Sequence, residues 1–375
     1  MTASGDDPVL LRTEGRAAYA TLNRPKALNA LTLGMVRTLA DALDTWEKDP
    51  SVGTVVLTGA GERGLCAGGD LRVFHHDAMT GGTASLDFWR EEYRLNARIA
   101  RFPKPYVAVM DGIVMGGGVG VSAHGGIRVV TERSQVAMPE TGIGFVPDVG
   151  GTYLLGRAPG ELGTHLALTG RAIGAADALL CGLADHFVPA GALPALLADL
   201  AVAPAHQAVA RHAREAPPGE LAAHRPWIDS CCTAETVEEI VERLAGHGDP
   251  VARKTAETLL TRSPTALKVT LAALRKAREA GSLERVLDQE YRVSRAALTH
   301  HDLAEGIRAQ VIDKDRRPRW CPPTLAEVGE DEVNRFFAPL GEHELGLAAG
   351  AAEGAAPSAR RARHAGNCLD VGDRA

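Results

Sequence analysis

Residues 106–120 read Tyr-Val-Ala-Val-Met-Asp-Gly-Ile-Val-Met-Gly-Gly-Gly-Val-Gly. Five apolar residues in succession, Tyr106–Met110, predict a strand buried on both faces. The glycines behind it predict a tight turn that opens into a helix. The same order occurs earlier in the chain. Thr54-Val-Val-Leu-Thr58 is a second buried strand, and a Gly-rich stretch then leads to Asp70. Thr54–Asp70 and Tyr106–Gly120 thus form a weak internal repeat of strand, Gly-rich turn and helix start. A chain that repeats this unit builds a layered α/β core.

Other elements extend outward from that repeat. Tyr19–Leu22 reads as a strand ending at the Asn23-Arg24-Pro25 turn. Leu28, Leu31, Met35, Leu39, Leu43 and Trp46 recur at three to four residues and predict one apolar helix face ending near Asp49-Pro50. Phe88, Leu95 and Ile99 mark another amphipathic helix. Past residue 190 the glycines thin and helical patterns take over. Ser263-Pro264 is a helix start, with Ser as N-cap and Pro at the first helical position, and a further helix runs from about Leu283 to Leu298. The organisation expected is an N-terminal segment (1–11), a core with the active site (12–200), a mainly helical region (201–340) and an Ala/Gly-rich tail (341–375) whose lack of apolar period reads as disorder.

Composition narrows the function classes. The 375 residues carry 41 basic and 47 acidic side chains, a net charge of −6, which argues against bulk nucleic-acid binding. With 45% hydrophobic residues the chain can bury a sizeable core. The apolar stretch around 190–210 is broken by Pro194, Asp199 and Pro204, so no membrane span is expected. The start, Met1–Asp7, has neither a secretory nor an Arg-rich transit pattern, and the expected location is cytoplasmic. Six scattered cysteines and histidine pairs at 75–76 and 300–301 show no metal spacing. Inert thiols and no metal are expected.

Three Gly-rich places compete for the chemistry. Gly59-Ala-Gly61-Glu-Arg-Gly64 is formally a dinucleotide fingerprint, but no helix opens directly after it. Gly120-Val-Ser122-Ala-His124 falls one glycine short of a nucleophile elbow, and Ser122 reads better as a small helix residue. The third is a pair of loops, Cys66-Ala-Gly-Gly-Asp70 and Met115-Gly-Gly-Gly-Val119, each just beyond a buried strand. One backbone N–H from each can converge on a carbonyl oxygen as an oxyanion hole. Farther on, Glu140 and Asp148 stand among Met138, Ile143, Phe145 and Val146. Desolvation there raises a carboxyl pKa toward the range useful for acid–base work.

Asn23–Leu31, Cys66–Asp70, Asp111–Gly118 and Pro139-Glu140 together resemble the crotonase (enoyl-CoA hydratase/isomerase) superfamily. Arg90-Glu-Glu-Tyr93, the 137–153 run and the 312–320 run resemble its branch of hydrolases acting on 3-hydroxyisobutyryl-CoA. The resemblance covers roughly residues 12–190 and 255–325. It implies a spiral of strand-strand-helix units with a helical C-terminal region and an acyl-CoA substrate, with no cofactor beyond the CoA it carries. It leaves room for a homo-oligomer. It also implies Gly69 and Gly117 as oxyanion-hole amides and Glu140 as principal carboxylate, with Asp148 and Glu92 as further substrate-contacting acids. Ala67, Asp70, Leu71 and Arg72 would line the CoA channel, with Lys26 toward its nucleotide end. Hydratases of the superfamily carry a Glu two residues after the three glycines, where this chain has Gly120. The implied activity is therefore hydrolysis of a short β-hydroxyacyl-CoA thioester, the step that valine breakdown requires. The alternatives are a hydratase or isomerase and a non-catalytic CoA-binding subunit.

Overall fold

A computed structural model describes residues 7–349 of the chain. Among the described residues, nine strands form two sheets. β1 (Val9–Glu14), β2 (Ala17–Leu22), β3 (Thr54–Gly59), β5 (Tyr106–Met110), β7 (Ile127–Val130) and β9 (His186–Phe187) lie in that order in the larger sheet. β1 runs antiparallel to β2 and every other neighbour is parallel. β4 (Gly64–Cys66), β6 (Ile113–Met115) and β8 (Gln135–Ala137) form a smaller parallel sheet.

The unbroken apolar runs are explained by burial on both faces of the larger sheet. Val55, Leu57, Ala108 and Met110 enter the main core. Val56, Val107 and Val109 instead meet Leu196, Leu200 and Val209 of the helices Leu193–Val202 and Ala205–His212. Alternate side chains thus serve two separate apolar layers. The main core runs from Val9 to Leu345, so the expected boundary at residue 200 is not a break in packing. The first strand likewise begins at Val9, inside the expected N-terminal segment.

The repeat has three copies. β3–β4, β5–β6 and β7–β8 each place a strand in the large sheet, turn, and place the next in the small sheet. α1 (Leu33–Lys48), α2 (Leu71–Thr80), α3 (Ala84–Ala100) and α4 (Gly117–Ser122) cover these units. α1 starts later than the leucine spacing predicts. Leu28 and Asn29 take left-handed backbone (φ 52° and 55°), and Thr32 caps the helix by accepting from Met35 N–H. Ser263 caps the helix Pro264–Glu279 by accepting from Ala266 N–H, and the next helix spans Leu283–Leu298 as predicted.

The expected disordered tail begins too early. Leu345 is buried in the core, Arg90 donates to the carbonyls of His343 and Glu344, and Asp288 accepts from the N–H groups of Leu347 and Ala348. Residues 350–375 lie outside the described residues, as does Cys368. Cys66, Cys181, Cys231 and Cys232 are buried free thiols, whereas Cys321 is exposed.

Candidate active site

Because β4, β6 and β8 are parallel neighbours, their C-terminal ends line up side by side. The segments leaving those ends therefore meet in one place, as is usual in parallel sheets. After β4 come Ala67, Gly68 and Gly69; after β6, Gly116 and Gly117; after β8, Met138, Pro139 and Glu140. All but Met138 line one cavity of about 340 Å³, together with Glu92 and Asp148.

Gly117 is the first residue of α4, so its N–H has no carbonyl within the helix. Gly69 bridges to Leu31 only through its neighbours: Leu31 N–H donates to Gly68 O and Asp70 N–H to Leu31 O. Among the described residues, no acceptor receives the N–H of Gly69 or Gly117. Two residues with unengaged amides thus line one cavity. The glycines are required by close approach, since a Cβ on Gly117 would lie 2.6 Å from Glu92 Oε1 and one on Gly118 2.3 Å from Cys66 O.

Three carboxyls share this space, and all are buried: Glu92 on α3, Glu140 at the start of the 3-10 turn Glu140–Ile143, and Asp148 in the loop beyond it. Glu140 Oε1 would sit 3.0 Å from a Cβ on Gly116, so it borders the amide pair. Glu140 Oε2 and Glu92 Oε1 are buried without a hydrogen-bond partner. Burial first, and then the Asp148 charge, push both glutamates well above the usual carboxylate range. Burial raises Asp148 to about 7, a rise opposed by the hydrogen bond from Tyr93. Such a cluster does not ionise fully at neutral pH, which leaves carboxylic acid and carboxylate together at one centre.

The loop carrying Asp148 is held residue by residue. Tyr93 OH donates to Asp148 Oδ2 at 2.7 Å. His124 Nε2–H donates to Val149 O at 2.7 Å; burial lowers that imidazole to about 4, so it stays neutral. Glu290, from the helix Leu283–Leu298, accepts from Gly150 N–H (2.6 Å), Thr152 N–H (3.0 Å) and Thr152 Oγ1–H (2.5 Å). These three pins offset the strain of Val149, a β-branched residue at φ 52°. Phe74, Phe88, Trp89 and Phe145 give the cavity an aromatic wall, with Trp89 stacked on Phe145 at 5.5 Å. Arg262, Gln310, Val311, Gly142 and Ile143 also line the cavity.

The structure thus brings together Gly69, Gly117, Glu92, Glu140 and Asp148. Of the expected CoA-channel residues, Ala67 and Leu71 line the cavity. Lys26 and Arg72 are exposed and stand outside its lining, and Asp70 is engaged by Arg24 Nη2 at 3.2 Å. Ser122 Oγ–H donates to Gly118 O, four residues back in α4, and His124 is turned to Val149. No nucleophile–base pair forms there. The 59–64 glycines make a turn between β3 and β4 rather than a helix start. Sequence reasoning missed Tyr93 as a partner of Asp148, His124 as the group that holds Val149, and Glu290 altogether. Glu290 had a signal: it falls on the apolar face of its helix, four residues after Val286 and next to Tyr291.

Among the described residues no group of three or more His, Cys, Asp or Glu is arranged to hold a metal ion, and no helix is long and apolar enough to cross a membrane. The enoyl-CoA hydratase/isomerase family profile matches residues 17–337. The mitochondrial 3-hydroxyisobutyryl-CoA hydrolase of Xenopus laevis is 45% identical over 353 residues, covering 91% of each chain. The Homo sapiens protein of that name is 43% identical over 350 residues, 90% of each. A crystal structure described as a carnitinyl-CoA dehydratase from Mycobacterium thermoresistibile superposes with TM-score 0.88 at 54% identity, covering 91% of this chain and 98% of that one. One described as an enoyl-CoA hydratase from Rhodobacter sphaeroides 2.4.1 gives TM-score 0.86 at 45% identity, covering 90% and 99%.

Proposed function

The chain belongs to the enoyl-CoA hydratase/isomerase family, and from that premise we propose that it hydrolyses the thioester of a short β-hydroxyacyl-CoA, with 3-hydroxyisobutyryl-CoA as substrate. The observation that carries this reading is the pair of unengaged amides at Gly69 and Gly117 beside three buried carboxyls in one cavity. The thioester carbonyl oxygen accepts from both amides, which hold the negative charge that develops as the carbonyl carbon is attacked. Glu140, next to them, takes a proton from water or attacks the carbonyl carbon itself to form an anhydride that water then opens. Asp148, ionised at rest, takes up the proton that Glu140 gives up on engaging and passes it to the departing thiolate, and Glu92, against Gly117, accepts from the substrate hydroxyl. Ala67 and Leu71 flank the pantetheine arm. The reaction draws on no group beyond these side chains and the CoA of the substrate. With this substrate the step belongs to valine breakdown.

Two solved relatives bear hydratase or dehydratase descriptions, and the geometry at residue 120 answers that rival reading. A second glutamate has no room there. A Cβ on Gly120 would lie 2.7 Å from Val149 Cβ and 2.9 Å from Asn96 Nδ2. The further carboxyl comes from Asp148 instead. A sequence-based expectation of cytoplasmic location differs from the names of the vertebrate relatives, which place those proteins in mitochondria.

The test is a panel of acyl-CoAs assayed for thiol release. Rapid release from 3-hydroxyisobutyryl-CoA, with little hydration of crotonyl-CoA, is expected. Efficient hydration without thiol release overturns the assignment, and binding without turnover makes the chain a CoA-binding subunit. A single turnover in ¹⁸O water puts label into the Glu140 carboxyl where water opens an anhydride at the Glu140 carbonyl, and hydroxylamine trapping of an acyl-enzyme detects the anhydride where water opens it at the acyl carbonyl.

A further inference from the structure

Tyr93 follows Glu92 on α3 and is fully buried. Its hydroxyl lies between two oxygens, Asp148 Oδ2 and Ser294 Oγ, each at 2.7 Å. A phenol has one proton to give and lone pairs to accept with. Glu140 Oε2 and Glu92 Oε1, by contrast, have no partner. Of the three cavity carboxyls, Asp148 is the one that accepts from a side-chain hydroxyl. A donor to a carboxylate favours the ionised form.

We propose that Tyr93 is a positioning residue of this site: backed by Ser294, its hydroxyl fixes the Asp148 carboxyl and makes Asp148 the cavity acid that holds the negative charge. The chain of three oxygens also serves both protonation states. With Asp148 ionised, Ser294 donates to Tyr93 and Tyr93 donates to Asp148. When Asp148 gains a proton, its own O–H donates to Tyr93, and Tyr93 turns its proton to Ser294. Only hydroxyl protons turn, that of Ser294 swinging away from Tyr93, so the exchange needs little reorganisation. Burial, and then the Asp148 and Glu290 charges, hold the Tyr93 phenol well above its usual value, so it stays a donor throughout.

The groups around Asp148 are Glu92 and Tyr93 on α3, Glu140 on the 3-10 turn and Glu290 on the helix Leu283–Leu298. Tyr291 of that helix packs edge-on against Tyr93, with Arg90 over the Tyr291 ring. None of the ion pairs among the described residues includes Glu92, Glu140, Asp148 or Glu290. The Tyr93 hydroxyl is therefore the device that separates Asp148 from its neighbours. Its use in turnover rests on the proposed hydrolysis; the placement of charge does not.

Carboxyl ¹³C NMR titration reads that placement directly, with Asp148→Asn assigning the resonance, while the pH profile of kcat/KM reads its use. Tyr93→Phe should move the Asp148 titration upward by about one to two pH units, the scale of a lost hydrogen bond to a charged group. Ser294→Ala should move it less, in the same direction. The matching limb of the pH profile should move with it, with kcat falling more than KM changes. An unmoved Asp148 titration in folded Tyr93→Phe overturns the proposal, and if that variant does not fold, an unmoved titration in Ser294→Ala does so. A shifted titration in a protein that cleaves no thioester upholds the charge placement and sinks the hydrolase reading. Robust thiol release with an unmoved titration sinks the Tyr93 role alone.

Discussion

Replacing Asp148 by Asn should stabilise the folded protein at neutral pH while removing most of its activity. Asp148 is buried beside Glu92 and Glu140, and burial lifts it from 3.8 to about 7. In the unfolded chain the same group titrates at its ordinary value. Between these two values the folded state keeps a proton that the unfolded state releases, so stability falls as pH rises from about 4 to 7 and the loss is complete above that. At about 1.4 kcal/mol per unit the full difference is roughly 4 kcal/mol, and sharing of the charge among the neighbouring acids brings an expectation of about 2–4 kcal/mol. Asn keeps the shape and an oxygen for the Tyr93 hydroxyl but has no charge to bury. Its melting temperature should exceed wild type by on the order of 5 °C near pH 8, and the gap should close near pH 4. Thiol release should fall by about 10²–10⁴-fold, because an amide neither gives nor takes the proton that the thiolate needs. Thermal unfolding of both proteins across that pH range checks the first claim, and a thiol-release assay checks the second. A gain equal at every pH, or a loss near pH 8, would refute the buried-charge argument; near-normal turnover would remove Asp148 from the chemistry.

The same geometry sets three further outcomes. Glu140→Gln should lower kcat by about 10²–10⁴-fold with CoA affinity close to wild type, measured by thiol release and calorimetry; activity within a few-fold of wild type removes Glu140 from the mechanism. Gly120→Glu should yield no crotonyl-CoA hydration and should cost stability, on the order of 1–3 kcal/mol or more for overpacking against Val149; denaturant titration and a hydration assay check both. Ser122→Ala should keep most activity and serine-directed acylating reagents should leave the enzyme active, since Ser122 is buried and bonded to Gly118 O; labelling at Ser122 with loss of turnover would favour a serine hydrolase.

The strands were legible because both their faces are buried, which leaves an unbroken apolar run in the sequence. The Ser263-Pro264 helix start was legible because its signal is local: a capping oxygen and a residue that needs no N–H. The features that escaped notice depend on distance along the chain. The third strand pair, β7–β8, turns through polar residues 131–134 and leads to a proline, so it lacks the glycine signature of the other two. α2 is short, and one side of it buries Asp77, whose carboxylate is taken up by Ser85 rather than by solvent. Gly69, Gly117 and Glu140 could be picked out by local composition and resemblance. Their convergence depends on the order β4-β6-β8, which no single segment encodes. Tyr93 and Glu290 reach Asp148 and its loop across 55 and 140 residues respectively.

The absence of a side chain at residue 120 and the presence of a carboxyl at residue 148 are two sides of one arrangement. Val149 adopts φ 52°, and its side chain fills the space that a residue larger than glycine at 120 would need. The same turn sets the preceding residue, Asp148, against Tyr93 inside the cavity. A β-branched residue holds that backbone only when its surroundings fix it, and here His124 grips its carbonyl while Glu290 grips the next amide. Restoring a glutamate at 120 would therefore displace Val149, loosen those two bonds and carry Asp148 away from its phenol. A second carboxylate above the Gly-Gly-Gly turn and the Asp148 carboxylate in its present place exclude each other sterically. This steric conflict at residue 120 favours the hydrolase reading over the hydratase reading for this backbone.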